Sequence, residues 1–168
     1  MAIREIEGSL SIISPAIYII FAFTIFLSSC ARSGDSPGNY IYAISKGDKF
    51  VLKKDIAITT RDKHVYLQNG EIKFYANVDK YAPFCRFAVS QEGTHTIRPV
   101  SMRVTKAAIY QSLENDFNYY VKFDVRAPNN PSITSLTCGA WGSFSDTHIT
   151  FTQMQQALGN YFEIPEPK

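Results

Sequence analysis

The chain has 168 residues, of which 45% are hydrophobic, 14% aromatic and 19% charged, with a formal net charge of +2. Such a composition excludes a disordered polypeptide. The near-balance of charge excludes the basic excess expected of a nucleic-acid binder, and the length sets a prior of one domain.

The N-terminal region comes first. Leu10 to Leu27 reads LSIISPAIYIIFAFTIFL, without a charge. Its apolar core, Pro15 to Leu27, is shorter than the roughly 20 residues a membrane-spanning helix needs and suits the hydrophobic region of a signal peptide. It runs into Leu27-Ser28-Ser29-Cys30, which resembles the lipobox of bacterial lipoproteins. In that motif an aliphatic residue and two small residues fit a narrow peptidase cleft, and the cysteine thiol receives the diacylglyceryl group. The resemblance implies a signal peptide over residues 1–29 and lipidation of Cys30. Residues 30–48 then read as the lipidated cysteine and a tether, because RSGDSPGN is rich in Ser, Gly and Pro. Ala31, not Asp, follows the cysteine, which by the same resemblance implies the outer membrane, with the domain facing the periplasm. More than one acyl chain on the cysteine suffices for stable anchoring. The extreme N-terminus departs from the pattern, because Arg4 stands against Glu5 and Glu7, and an uncleaved membrane anchor is the alternative.

With Cys30 used in this way, Cys85 and Cys138 are left as an even pair in an oxidising compartment, and a disulfide is expected. It would close a loop of roughly 50 residues, on the order of 4 kcal/mol in loop-closure entropy. No CxxC spacing points to a redox role instead.

Residues 49–168 read as one disulfide-bonded β-rich domain. Phe50 to Ile58 begins as an alternating strand that Lys53, Lys54 and Asp55 interrupt, and Thr59 to His64 is a polar turn. Val65 to Gln68 is a strand, Asn69-Gly70 a strong hairpin signal, and Glu71 to Ala76 the return strand, with Ile72 and Phe74 on one face and Lys73 and Tyr75 on the other. Tyr81 to Phe84 is a break, and Cys85 to Val89 a strand. After a turn at Gln91 to Gly93, Thr96 to Ala108 reads as one long alternating strand with Pro99 at an edge or bulge. Phe117, Tyr119, Val121, Phe123 and Val125 are expected on one face of the next strand. A turn at Ala127 to Pro131 leads to a strand over Ile133 to Cys138. Thr150 and Gln153 have capping-box spacing. Phe151, Met154, Ala157 and Leu158 recur at helical spacing, Gly159 ends the helix, and Tyr161 to Ile164 could add a short strand. The fold class expected is α+β: mainly antiparallel sheet, sandwich- or barrel-like, with one short C-terminal helix.

From about Phe50 to Ile164 the chain resembles a family of uncharacterised small envelope proteins of gammaproteobacteria. The resemblance is carried by Val65-Tyr66-Leu67-Gln68-Asn69-Gly70, Tyr81-Ala82-Pro83-Phe84-Cys85, Leu136-Thr137-Cys138, and His148-Ile149-Thr150 leading to Gln156-Ala157-Leu158-Gly159. It implies one domain and a disulfide between the two cysteines, and it brings no activity with it.

Catalytic, metal-binding and phosphate-binding patterns are not found, and no cofactor is expected. His64 and His95 fall in predicted turns and read as solvated, and His148 precedes the helix. None has a nucleophile and an orienting acid in a recognisable context. Acidic residues are scattered singly, and the nearest approach, Glu114 and Asp116, lies in a turn. Phe117, Tyr119, Tyr120 and Phe123, with Phe74, Tyr75 and Trp141, could line a ligand groove or a protein contact. The simpler reading makes the alternate set core and leaves Tyr120 as one exposed ring. Arg98, Arg103, Lys106, Lys122 and Arg126 could form a modest basic face toward anionic lipid or glycan, with a solvated sheet face as the simpler reading. The function expected is therefore that of a non-enzymatic outer-membrane lipoprotein. It would act as a structural or interaction module with protein partners in the envelope, as an accessory subunit of an envelope assembly does. The alternative is a periplasm-facing binding module for a small lipid, glycan or peptide.

Overall fold

A computed structural model describes residues 44–59, 62–111, 117–140 and 149–166. The expectations for the signal peptide, Cys30, Glu114, Asp116, Trp141 and His148 lie outside the described residues. Within them the fold is the expected one: mostly antiparallel sheet, curled into a half-barrel, with one short helix near the C-terminus.

The strands are β1 (Lys49–Leu52), β2 (Ile56–Ile58), β3 (His64–Gln68), β4 (Glu71–Lys73), β5 (Phe84–Val89), β6 (His95–Ile97), β7 (Val100–Gln111), β8 (Tyr119–Arg126), β9 (Ile133–Ala140) and β10 (Phe162–Glu163). Eight of them form one sheet in the order β10-β1-β7-β8-β9-β5-β3-β4, and β2 pairs with β6 in a second, small sheet. Helix α1 spans Phe151–Leu158. The fold also takes in the residues just ahead of β1: Ile44 is buried in the core, and Gly47 N–H donates to Val104 O at 2.8 Å.

Alternation along the strands gives the main sheet two faces. One carries Phe50, Leu52, Leu67, Cys85, Phe87, Met102, Val121, Phe123, Leu136 and Cys138, all essentially inaccessible to solvent. Helix α1 packs over this face against β3 and β5 and buries Phe151, Met154, Ala157 and Leu158, as its 3.6-residue period requires. The small sheet adds Ile56, Ile58 and Ile97 to the same core. The helix starts at a capping box, in which Gln153 N–H donates to Thr150 Oγ1 at 3.2 Å and Thr150 N–H to Gln153 Oε1 at 2.8 Å. These reciprocal bonds satisfy donors that the first turn leaves open.

Cys85 and Cys138 stand directly opposite each other on β5 and β9. They form a disulfide with Cα atoms 4.1 Å apart, facing the core and fully buried. The bridge therefore clamps two neighbouring strands in the middle of the sheet, 53 residues apart in sequence.

The β3–β4 hairpin turns at Asn69 (φ 54°) and Gly70 (φ 73°), the two positive values a two-residue I′ turn requires. The turn docks on the end of α1, where Gly70 N–H donates to Ala157 O at 3.1 Å and so serves a carbonyl that the helix leaves unpaired. A Cβ on Gly159 would collide with the Gly70 backbone, so both glycines are needed for this close approach.

Two sequence expectations about strands change. The stretch Thr96 to Ala108 is not one strand, because its first part pairs with β2 and its second with β1 and β8. Pro99 lies between them; it cannot donate to a ladder, and the chain changes sheets there. The return strand of the hairpin stops at Lys73 instead of Ala76, and Tyr75–Asn77 form a 3₁₀ turn. Gln68 explains the departure. Its buried amide accepts from Asp79 N–H at 3.0 Å and donates to Asp79 O at 2.8 Å. This holds the loop after β4 over the sheet rather than beside it.

Candidate functional site

The face away from α1 is not uniformly polar. At one end it carries a second buried cluster of Tyr66, Val78, Phe84, Phe117 and Tyr120, with Tyr110 packed against it. The rings touch in sequence across the sheet. Tyr110 stacks on Tyr120 (5.0 Å between centroids), Tyr120 meets Phe117 (5.6 Å), Phe117 stacks on Phe84 (4.4 Å), Phe84 meets Tyr66 (6.1 Å) and Tyr66 meets Tyr75 (5.3 Å). Gly139 makes room for them, since it lies opposite both Phe84 and Tyr120 and a Cβ there would lie 2.8 Å from Tyr120 Cβ.

This arrangement corrects two expectations about the aromatic run. Tyr120 is buried, not exposed. Phe117 does not share a face with Val121, Phe123 and Val125, because it precedes β8 and joins the second cluster. Phe123 lies in the main core, edge-on to Phe50, and Tyr119 is half-buried at the start of β8.

The file of rings ends at a groove. Strand β3 begins at His64, whereas β4 stops at Lys73, the partner of Tyr66. The notch where β3 runs on alone is a cavity of about 240 Å³, bounded by Thr59, Asp62, His64, Ile72, Phe74 and Tyr75 among others. Its rim is apolar and open: Phe74 is 73% exposed, with Ile72 and Tyr75 also exposed beside it. Tyr81, on the loop that Gln68 holds, is exposed as well, and Lys80 Nζ sits 4.1 Å from the centre of the Tyr75 ring. Polar groups converge on the floor, where His64 Nε2 and the Tyr66 hydroxyl are hydrogen-bonded at 3.0 Å and the two rings meet edge to face. His64 is thus the first residue of a strand and half-buried, not a solvated turn residue. Sequence reading picked out Phe74 and Tyr75 but missed His64 and Ile72 as their neighbours. No local signal marks them, because Phe74 and Tyr75 continue the alternating pattern of β4 and only the structure ends that strand at Lys73.

The other residues singled out are not brought to this groove. His95 is in β6, with Nδ1 2.8 Å from Gly93 O. Arg103, Lys106, Lys122 and Arg126 lie on β7 and β8 at the far end of the same face, and Arg98 lies between β6 and β7. The carboxyls held below their ordinary value are Glu92, by hydrogen bonding and charge from Lys63, and Glu163, by the same contribution from Lys53. Both are exposed surface pairs outside the groove. Among the described residues no group of three or more His, Cys, Asp or Glu is placed to hold a metal ion, and no helix is long and apolar enough to cross a membrane.

No protein-family model matches the chain, and neither a curated protein nor a solved structure matches it. The stretches around Gln68-Asn69-Gly70, Ala82-Pro83-Phe84-Cys85, Cys138 and Gly159 are joined in the structure. Gln68 fastens the loop that contains Ala82 and Pro83, Gly70 packs on Gly159, and Cys85 bonds to Cys138.

Proposed function

We propose that the protein is a non-enzymatic, lipid-anchored interaction module of the outer membrane, facing the periplasm, and that its groove beside β4 receives a protein partner. The observation that carries this reading is the open apolar rim of Ile72, Phe74 and Tyr75. Exposed apolar patches of this kind mark contact sites, and aromatic residues are the usual anchors of an interface. The anchor is assigned to Cys30 on the lipobox resemblance, and the envelope family on the stretches quoted above. An accessory role in an envelope assembly fits a rigid, disulfide-clamped sheet that presents one sticky edge.

A small-ligand site is the second reading, favoured by the groove itself. Its volume of about 240 Å³ falls below the roughly 300–1,000 Å³ usual for small-molecule pockets. It suits one or two inserted side chains of a partner better than a lipid or oligosaccharide.

The test is cross-linking in intact cells from a photoreactive residue at position 74, followed by isolation of outer membranes and mass spectrometry. The proposal expects one defined protein adduct and a lipid-modified Cys30. An uncross-linked, lipidated monomer would sink the interaction reading, and an unmodified Cys30 would sink the anchor.

A further inference from the structure

Beyond the aromatic cluster, the face opposite α1 changes character. The register sets Lys49 opposite Arg103, and Arg103 opposite Arg126, across β1, β7 and β8. Residues directly opposite in an antiparallel ladder share a face, with Cβ atoms about 4.5–5.5 Å apart, so the three cations form one row. Lys106 lies on this face too, opposite Asp124, and so does Lys122, two positions from Asp124 along β8. Lys49, Arg103, Lys106 and Arg126 are all exposed.

The carboxylates nearby are already engaged. Asp124 has Lys122 at 3.4 Å, and Glu163 has Lys53 at 2.7 Å. Among the described residues Arg103, Lys106 and Arg126 make no salt bridge, although Arg103 donates to Gly47 O at 3.2 Å. Lys49 makes none either, but its charge also acts on Glu163, which Lys53 already holds. Like charges set directly opposite one another destabilise a sheet. A layer of negative charge laid across the row would remove that repulsion.

The nature of that layer follows from what the row lacks. A protein interface is depleted of charge at its centre and anchored by aromatic residues, whereas this face has no exposed ring among its cations. Single-stranded nucleic acid would need rings for stacking, and the rings of this face are buried at its other end. What remains is an open array of exposed cations, suited to the phosphates of an anionic surface. Past the end of the row lies a cleft of about 410 Å³, lined by Arg98, Ser101, Asn129 and Asn130 among others. It offers further donors to an anionic headgroup.

We propose that the β1–β7–β8 face docks on an anionic lipid bilayer, with Lys49, Arg103 and Arg126 against the headgroup phosphates. The attraction acts only within a Debye length, about 8 Å at physiological salt, so it needs the domain to be held close to the membrane. Lipidation of Cys30 is one way to hold it there. The docking is independent of the groove, and it leaves the rim around Phe74 at the opposite side of the sheet available to a partner.

The test uses the full chain reconstituted in vesicles of phosphatidylcholine alone, or of phosphatidylcholine with phosphatidylglycerol. Lysine acylation by a water-soluble ester is read by mass spectrometry. Labelling of Lys49 and Lys106 falls several-fold in the anionic vesicles. Lys54, which is hydrogen-bonded to Asn160 beside the end of α1, is labelled equally in both. Raising salt from about 0.1 M to about 1 M shortens the Debye length from about 10 Å to about 3 Å and restores the labelling. The double variant Arg103→Glu/Arg126→Glu, with its disulfide and melting temperature intact, loses the protection. Should that variant fail to fold, Lys106→Glu gives the same readout at Lys49. Equal labelling in the two kinds of vesicle, or protection that survives the charge reversal, overturns the proposal. Protection by inorganic phosphate without vesicles overturns it as well, in favour of a soluble anion.

Discussion

The two faces of the main sheet are drawn from the same strands by the same alternation, yet they end in different states. On one, Phe50, Leu67, Phe87, Phe123 and Leu136 lie under α1 and the β2–β6 pair and are closed to solvent. The other is divided along its length. Near β3, β5 and the start of β8 it holds a small aromatic cluster, covered in part by the loop that Gln68 fastens. Near β1, β7 and the end of β8 it is an open array of cations. The difference shows that alternation decides only which residues share a face. Whether a face is covered depends on where the intervening segments are carried, and here one helix and one buried glutamine decide it.

That comparison can be broken at several points. The largest effect is expected at the clamp beneath the closed face. Cys85→Ala/Cys138→Ala should lower unfolding free energy by about 4 kcal/mol for the loop of this length, read as a shift in the urea midpoint with little change in far-ultraviolet circular dichroism. A loss below about 1 kcal/mol would mean that β5–β9 pairing already persists in the unfolded chain.

Truncation on the divided face comes next. Phe84→Ala removes a fully buried ring stacked on Phe117 and should cost about 3 kcal/mol, near the low end for a buried aromatic because a small cluster can close over the space. Gln68→Ala leaves the backbone of Asp79 without its partner and should cost about 2 kcal/mol. It should also raise hydrogen exchange at Asp79 to Phe84 before the rest of the sheet. Exchange that rises uniformly would show that the loop is held by packing and not by this amide.

Phe74→Ala should change stability by less than about 0.5 kcal/mol, because the ring is 73% exposed, while abolishing the adduct formed in intact cells from a photoreactive residue at position 72. A large loss of stability would make the rim structural and remove it as a contact site.

The smallest effect concerns pH. Glu92 and Glu163 titrate below their ordinary value of 4.5 in the folded protein because of Lys63 and Lys53. A folded value below the unfolded one favours the native state above the unfolded pKa, and the advantage disappears as pH falls through the folded value. Both pairs are exposed, so the change should be slight and should be erased by salt. Urea midpoints of Lys53→Ala and the parent protein should therefore converge as pH falls from neutral through and below the carboxylate range. A difference that persists at the acid end would assign the effect of Lys53 to something other than the ion pair.

Much of the fold is legible in the residues themselves. Asn69-Gly70 specifies its turn, since few other pairs accept two positive φ values. Thr150 and Gln153 specify the helix start, Phe151, Met154, Ala157 and Leu158 its buried face, and two cysteines in a β-rich domain their bridge. The groove was not legible in the same way. His64 reads as part of a polar turn, and nothing local says that β4 will stop at Lys73. Its length is set by Gln68 gripping Asp79, a contact between residues that belong to different elements. The basic face was half visible: alternation along the strands suggests Arg103, Lys106, Lys122 and Arg126, but Lys49 joins the row only through the pairing of β1 with β7.

By itself, then, the sequence determined the local conformations: turns, caps, strand identity and the periodicity of the buried residues. These depend on steric and hydrogen-bonding preferences within a few residues. Only the tertiary structure decided the neighbours. It sent the two halves of the Thr96 to Ala108 stretch to different sheets at Pro99, buried Tyr120, and stopped β4 short of His64. It also aligned Lys49 with Arg103 and Arg126. Each of these outcomes is set by strand order and register, which bring together residues far apart in the chain and so leave no mark in any short stretch of it.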